Sequence, residues 1–527
     1  MEVGRIDRRR FHQLVASLSV GAYYAPAHAA LGDTLRTDDK NHPNITSGIA
    51  SGDVHSTGAI LWSRCDRDAR MVVDLSSYED FRQSHTLLGP EVLETTDFTG
   101  KLQLQNLEPD RVHFYRVRFQ DLRNSSRWSS SWSGSFRTAP IEPRTIRFAW
   151  SGDTAGQGYG IDPSRGGIKS FRTILDQRPD FFVNSGDVCY ADNPIPSQIE
   201  LEDGTLWKNL QLEEKTKVAE TLNEFRANYR YNLLDENLVA MNAAIPTFAQ
   251  WDDHETLNNW YPTEELLDDS RYTEKSVALL AARARRAFLE YMPIRPTGSD
   301  FNRIYRRVSY GPLLELFFID LRSHRGPNTS NHQKEQDETT ALLGKQQIRW
   351  LKQALQQSKA TWKVICSNMP IGLVVRDGKD SFEAIANAND GKALGRELEI
   401  ADLLRFMKQK SIHNVVWLTA DVHYAASHYY DPQWASFQDF DPFWEFVSGP
   451  LHAGTFGPNP LDKTFGPQLK FQSVPEGMKG NRPPSEGRQF FGIVQIDGDS
   501  KAMRVSHHDV SGKELWHIEL QPRDERG

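Results

Sequence analysis

Asn184-Ser-Gly-Asp187-Val-Cys-Tyr190-Ala-Asp192 places a carboxylate and a phenol three residues apart, directly after the apolar run Pro179-Asp-Phe-Phe-Val183. Such a run makes a buried strand of an α/β sheet, and open α/β sheets bind ligands at the carboxyl ends of their strands. One carboxylate has two oxygens, so Asp187 can bridge two cations, with Tyr190 reaching one of them from the same loop. Three more apolar runs end alike: Ile146–Trp150 before Asp153, Ile245–Gln250 before Asp253-His254-Glu255, and Asn414–Leu418 before Asp421-Val-His423. Each has an ordinary alternative. Gly-Asp is a common turn, Asp153 suits a helix cap, Asp252 to Glu255 suits a charged helix start, and Asp-x-His suits a capped turn. One shared site explains four strand ends more economically than four unrelated turns.

Oxygen-rich ligation with one or two imidazoles fits Mg, Ca, Mn or Fe rather than a soft-metal site. Two cations about 4 Å apart clamp a phosphoryl group and lower the pKa of a bridging water from about 15.7 to about 7. The expected chemistry is in-line attack of a metal-bound hydroxide on a phosphate ester at a dinuclear or trinuclear site. His254 is the candidate to protonate the leaving oxygen, beside Asp253 and with Glu255 expected to hold its ring. A binding protein for phosphate or metal would need no such proton donor.

The bulk composition is that of a globular protein: 527 residues, 38% hydrophobic and 25% charged, enough for a sizeable core and two to four domains. A formal net charge of -8 argues against a nucleic-acid partner. The three cysteines, Cys65, Cys189 and Cys366, exclude a disulfide framework and a zinc–thiolate cluster. No apolar run reaches membrane-spanning length, so no stable membrane insertion is expected. Arg8-Arg9-Arg10-Phe11, the mildly apolar Leu14–Tyr24 and Ala27-His28-Ala29 read as a twin-arginine signal peptide over residues 1–29. Export to the periplasm or exterior through the twin-arginine translocase is the expectation.

Short β-branched and aromatic runs punctuated by turn residues, Ala59–Trp62, Met71–Leu75 and His113–Phe119, predict a separate all-β module over residues 45–140. Leu107-Glu-Pro109 with Tyr115 suggests a fibronectin- or immunoglobulin-like sandwich, and the lack of clustered ligands suggests a covering or spacing role. A catalytic α/β domain is expected over 145–520, with strands alternating with helices at Gly166–Leu175, Leu201–Val239, Ser276–Met292 and Glu397–Lys410.

Gly48-Ile-Ala-Ser-Gly-Asp53, Leu61-Trp62-Ser-Arg64, Gly186-Asp187-Val-Cys-Tyr190, Trp251-Asp-Asp-His-Glu255, Tyr291-Met-Pro-Ile-Arg295, Asp320-Leu-Arg322 and Ala420-Asp-Val-His423 resemble the alkaline phosphatase D (PhoD) family of calcineurin-like metallophosphoesterases. The resemblance spans nearly the whole mature chain. It implies a four-layer αββα metallophosphatase sandwich behind the N-terminal β-sandwich, an iron plus calcium site (Mn, Co or Mg in related enzymes), and hydrolysis of small phosphate mono- or diesters with release of inorganic phosphate. A phospholipase-D-like diesterase is the rival activity on the same scaffold. By motif, Asp187 would bridge the metals, Tyr190 and His423 would hold iron, and Asp421 would hold calcium. Asp253 stands where the superfamily has a metal-binding Asn, with Asn258 or Asn259 as alternative suppliers. Asp153 stands where the family's best-studied pattern has a Cys, which removes the iron–thiolate bond. Cys189, by strand-like alternation from Tyr190, is expected to point away from the site.

Overall fold

The structure is a computed structural model, and it describes residues 41–296 and 300–523. The expected signal peptide lies outside the described residues.

Two sheets face each other. The first contains the parallel strands Ile146–Ser151, Phe181–Ser185 and Thr247–Gln250, continued on one side by the antiparallel Phe490–Ile496, Met503–Asp509 and Glu514–Leu520. The second contains the parallel strands Leu314–Phe318, Trp362–Cys366, Val415–Thr419 and Phe443–Val447. These central strands are buried along their length, which is why they read as near-continuous apolar runs without alternation. Phe148, Phe181 and Phe248 of the first sheet share one core with Leu316, Phe318, Val364 and Val416 of the second.

Helices cover both outer faces. Lys169–Asp176, Leu222–Asn232, Glu236–Ala244 and Val277–Tyr291 pack on the first sheet, and Gly344–Gln357 and Glu397–Gln409 on the second. The layers run α, β, β, α as expected. Parallel strands joined by crossover helices bring their carboxyl ends to one edge, where both sheets deliver their acidic turns.

Two expectations change in detail. Residues 201–221 hold no α-helix: Gln198–Glu200 pairs antiparallel with Leu206–Lys208, and Glu213–Lys215 makes one 3-10 turn. The reason is local. The Asp203 carboxylate accepts from Thr205 N at 2.9 Å, and Gly204 turns at φ +78°. Asp-Gly between short extended runs is a hairpin signal that outweighs the charged, helix-like composition.

The N-terminal module is a β-sandwich, but its strands do not form a detached unit. Ala69–Ser76, His85–Val92, Val112–Asp121 and Trp132–Arg137 make its four-stranded sheet, with the inward and outward alternation of Val112–Asp121 showing one buried face. The facing strands Ile45–His55, Gly58–Cys65 and Thr99–Leu104 are the end of the nine-stranded catalytic sheet, because Gly52 pairs in parallel with Thr247. The module's core, Val54, Leu61, Met71, Val73 and Val117, is continuous with that between the catalytic sheets.

Candidate metal centre

Three of the four acidic strand ends reverse sharply. Asp153, Asp187, Asp421 and His423 have φ of +67°, +49°, +69° and +61°, the left-handed region that costs a non-glycine residue about 1–2 kcal/mol. Such strain at four residues in three neighbouring turns aims their side chains into one crevice instead of along the strands. Gly186 is needed beside them: its φ is +106°, and a Cβ there would lie 2.7 Å from the Asp252 Cβ. Gly449 is the second such glycine, since a Cβ would stand 2.0 Å from Asp153 Oδ2.

The carboxylates and imidazoles fall into three overlapping groups whose ligand atoms lie within 4.8 Å of one another: Asp153, Asp187 and His423; Asp187, Asp253 and His254; and Asp252, Asp253 and Asp421. Asp187 belongs to two of them. All are buried except Asp421, which is half-buried. Both oxygens of Asp153 and Oδ1 of Asp253 are buried without a hydrogen-bond partner. Buried carboxylate oxygens are rarely left so, and a cation is the partner that fits an acceptor-only donor set. Tyr190 joins the first group: its hydroxyl donates to His423 Nε2 at 2.8 Å. His423 Nδ1 donates to Gly454 O at 2.5 Å, so Nε2 is the nitrogen turned to the site.

Electrostatics agree. Burial raises the pKa of Asp153, Asp187 and Asp421 well above the usual carboxylate range, and nearby carboxylates push in the same direction. Burial also raises the Tyr190 phenol, as do Asp187 and Asp153. Burial opposes ionisation of Asp253 too, but Arg322 and His254 hold it below its ordinary value. Mutually repelling buried carboxylates call for cations, and one is built in. The fully buried Arg322 donates from Nε to Asp252 Oδ1 at 2.6 Å, and places its other nitrogens 2.6 Å from Glu383, 3.6 Å from Asp253 and 3.9 Å from Asp421.

His254 lies between the groups, its backbone N donating to Asp187 Oδ1 at 3.2 Å and its ring tilted by 32° against that of Tyr190, 4.2 Å between centroids. The residue holding this ring is Asp192, with Oδ1 2.8 Å from His254 Nδ1 and Oδ2 accepting from Asn258 N at 2.9 Å. The expectation that Glu255 holds His254 is corrected: Glu255 accepts from Val188 N at 2.7 Å and Asp252 N at 2.8 Å. It staples two ligand-bearing turns together, because its short reach from the turn serves backbone amides and not the ring. Burial pushes its carboxyl up to about 7. Against burial, Asp192 and Asp253 raise His254 to about 9.

Asn259 N donates to Asp253 Oδ2 at 2.6 Å while its side-chain amide donates to Asp377, and the Asn258 side chain is exposed. The amide that reaches the cluster is Asn368, donating to Asp252 Oδ1 at 2.5 Å. Sequence reasoning missed Asp192, Asp252 and Asn368. Asp192 stood in the opening motif, and Asn368 follows the strand Trp362–Cys366 as Asp421 follows its own. Cys189 is buried in an apolar cluster with Trp251 and Leu257, and burial raises its thiol pKa.

The profile of the PhoD-like phosphatase family matches residues 148–507, and that of the PhoD-like phosphatase N-terminal domain matches residues 29–140. The chain belongs to the PhoD-like phosphatases. It is 26% identical over 487 residues to alkaline phosphatase D of Bacillus subtilis (strain 168), covering 87% of this chain and 77% of that protein. Its fold matches the solved structure of PhoD with a TM-score of 0.66 at 20% identity, covering 92% of this chain and 93% of the other. It also matches the purple acid phosphatase PPD1 from yellow lupin (Lupinus luteus) seeds, with a TM-score of 0.55 at 12% identity, covering 92% and 75%. Membership makes the chain a hydrolase of phosphoric esters, and its buried groups are candidate metal ligands.

Proposed function

We propose that this chain is an exported alkaline phosphatase or phosphodiesterase acting at a dinuclear or trinuclear metal site. The observation that carries the reading is Asp187, shared by two ligand groups beside an Asp153 whose two buried oxygens have no hydrogen-bond partner. Asp153, Tyr190 and His423 would hold one cation, Asp253 and Asp421 would hold the other, and Asp187 would serve both. When bound, such cations polarise a phosphoryl group and make hydroxide available near neutral pH. The chain's own part is positional: the left-handed turns aim the ligands, Asp192 orients His254, and His254 keeps a proton for the leaving oxygen.

Iron and calcium are the metals implied by resemblance, with Mn, Co or Mg as alternatives. Asp153 makes the donor set harder than a thiolate would. The test is metal analysis of protein purified from its native compartment, alongside rates on a phosphomonoester, a simple diester and a phospholipid. About two or three metal ions per chain with chelator-sensitive hydrolysis are expected, whereas metal-free protein at full activity would exclude the reading. Phospholipid turnover releasing the headgroup alcohol would favour the phospholipase-D-like activity.

Export rests on the Arg8-Arg9 pair. Replacing both by Lys should leave the unprocessed precursor in the cytoplasm. Processed protein beginning near Ala30 outside the membrane would contradict the twin-arginine route.

A further inference from the structure

The Gly48–Asp53 motif has no place among the ligands, yet Asp53 is as buried as any of them, at 1% exposure. Its hydrogen-bond donors both lie outside the N-terminal module. Arg306 donates to it through Nε at 2.9 Å and Nη2 at 2.7 Å, and Arg295 N donates at 2.8 Å. Asp53 also turns at φ +42°, so the backbone bends in order to present this carboxylate. The third arm of Arg306, Nη1, donates to Ala249 O at 2.9 Å, and the guanidinium lies 4.4 Å over the Phe318 ring.

Those contacts fall at one place in the sheet. The strand Ile45–His55 pairs with Thr247–Gln250 only at Gly52 and Thr247. Beyond that pair the first strand departs, and Ala249 O has no strand neighbour on that side. A buried carbonyl needs a donor, and Arg306, fixed by Asp53, supplies it. Ala249 lies three residues before Asp252 and four before Asp253. Arg306 itself begins the edge strand of the second sheet, so one guanidinium ties the module, the first sheet and the second sheet together.

We infer that Asp53 and Arg306 are positioning residues for the Asp252–Asp253 arm, which makes the N-terminal module part of the frame of the metal centre. This rests on the proposed reading that Asp253 binds a cation. An Arg–carboxylate fork fixes direction as well as distance, which a point charge does not.

The test is calorimetric titration of Mn²⁺ into chelator-stripped protein. The double variant Asp53→Asn/Arg306→Met removes both charges of the buried pair together. It should weaken one of two binding steps about ten-fold, the size of loss that outer partners of metal ligands produce, and leave the other step unchanged. Arg306→Lys keeps a cation beside Asp53 but cannot fork to Ala249 O, and should shift the same step in the same direction. Arg226→Met is the control. Arg226 ties Thr95 O of the module to Glu290 without touching the Ala249 strand. It should lower the melting temperature and leave both steps alone. Unchanged binding in the double variant and in Arg306→Lys, or an equal shift in the Arg226→Met control, overturns the inference. Should wild-type protein bind no Mn²⁺, the proposed function falls and the inference with it; wild-type binding with unaltered variants defeats the inference alone.

Discussion

Replacing Asp187 by Asn or Ala is expected to abolish hydrolysis and to reduce the content of both metals at once. The reason is its membership of two ligand groups, one with Asp153 and His423 and the other with Asp253 and His254. Losing a partner that only orients a ligand costs about 10–100-fold in affinity or activity, so losing a shared ligand should exceed about 100-fold. The apo fold should survive. Asp187 pays a burial penalty and is repelled by Asp253, Asp252, Glu255 and Asp153, all of which favour the neutral form. An uncharged Asn removes that repulsion while the Phe181–Ser185 strand beneath keeps its pairing. Metal content, circular dichroism and activity on one preparation decide the matter. Wild-type metal content in Asp187→Asn would rule out the bridging role, and loss of one metal alone would make Asp187 a ligand of a single cation.

The sequence made the four acidic strand ends readable because each strand is short, apolar and buried on both faces, so its end stands out as an abrupt change to charge. The Asp187, Asp253 and Asp421 turns were legible for that reason, and strands alternating with helices gave the α/β class, while the four-layer order was implied only by the family resemblance. Contacts among the turns were not legible. Glu255 follows His254 in sequence, yet it bonds the amides of Val188 and Asp252, while Asp192, 62 residues from His254, holds the ring. Adjacency along a tight turn sends neighbouring side chains in different directions, so the nearest carboxylate in sequence was the wrong one. Asn368 was hidden differently: an amide after a strand is a weaker signal than a carboxylate, and its role shows only once the Arg322–Asp252 pair beside it is seen. The module was legible as β structure from its short β-branched and aromatic runs between turn residues. Its continuity with the catalytic sheet depends on the Gly52–Thr247 pairing, a contact between residues far apart in the chain that composition cannot reveal.

Loss of His254 should hurt most where the leaving oxygen is least able to depart unprotonated. A positioned acid typically contributes about 10²–10⁴-fold, so His254→Ala should slow alkyl phosphates by that order. Aryl esters of acidic phenols should suffer far less. His254 Nδ1 is fixed by Asp192 at 2.8 Å, which leaves Nε2 as the nitrogen that can carry the transferable proton. The pH dependence has a definite sign. Burial alone would lower the imidazole pKa, but Asp192 and Asp253 raise it to about 9, so the ring keeps its proton through neutral pH and gives it up above that. Alkyl ester hydrolysis should therefore fall on the alkaline side. In Asp192→Asn that limb should move to lower pH, because the leading charge that favours the imidazolium is gone. Aryl ester rates should show the limb weakly or not at all. Because His254 also lies within ligand distance of Asp187 and Asp253, metal content separates the two roles. Near-wild-type metal with a leaving-group-dependent loss identifies the acid; a uniform loss with depleted metal makes His254 a ligand instead.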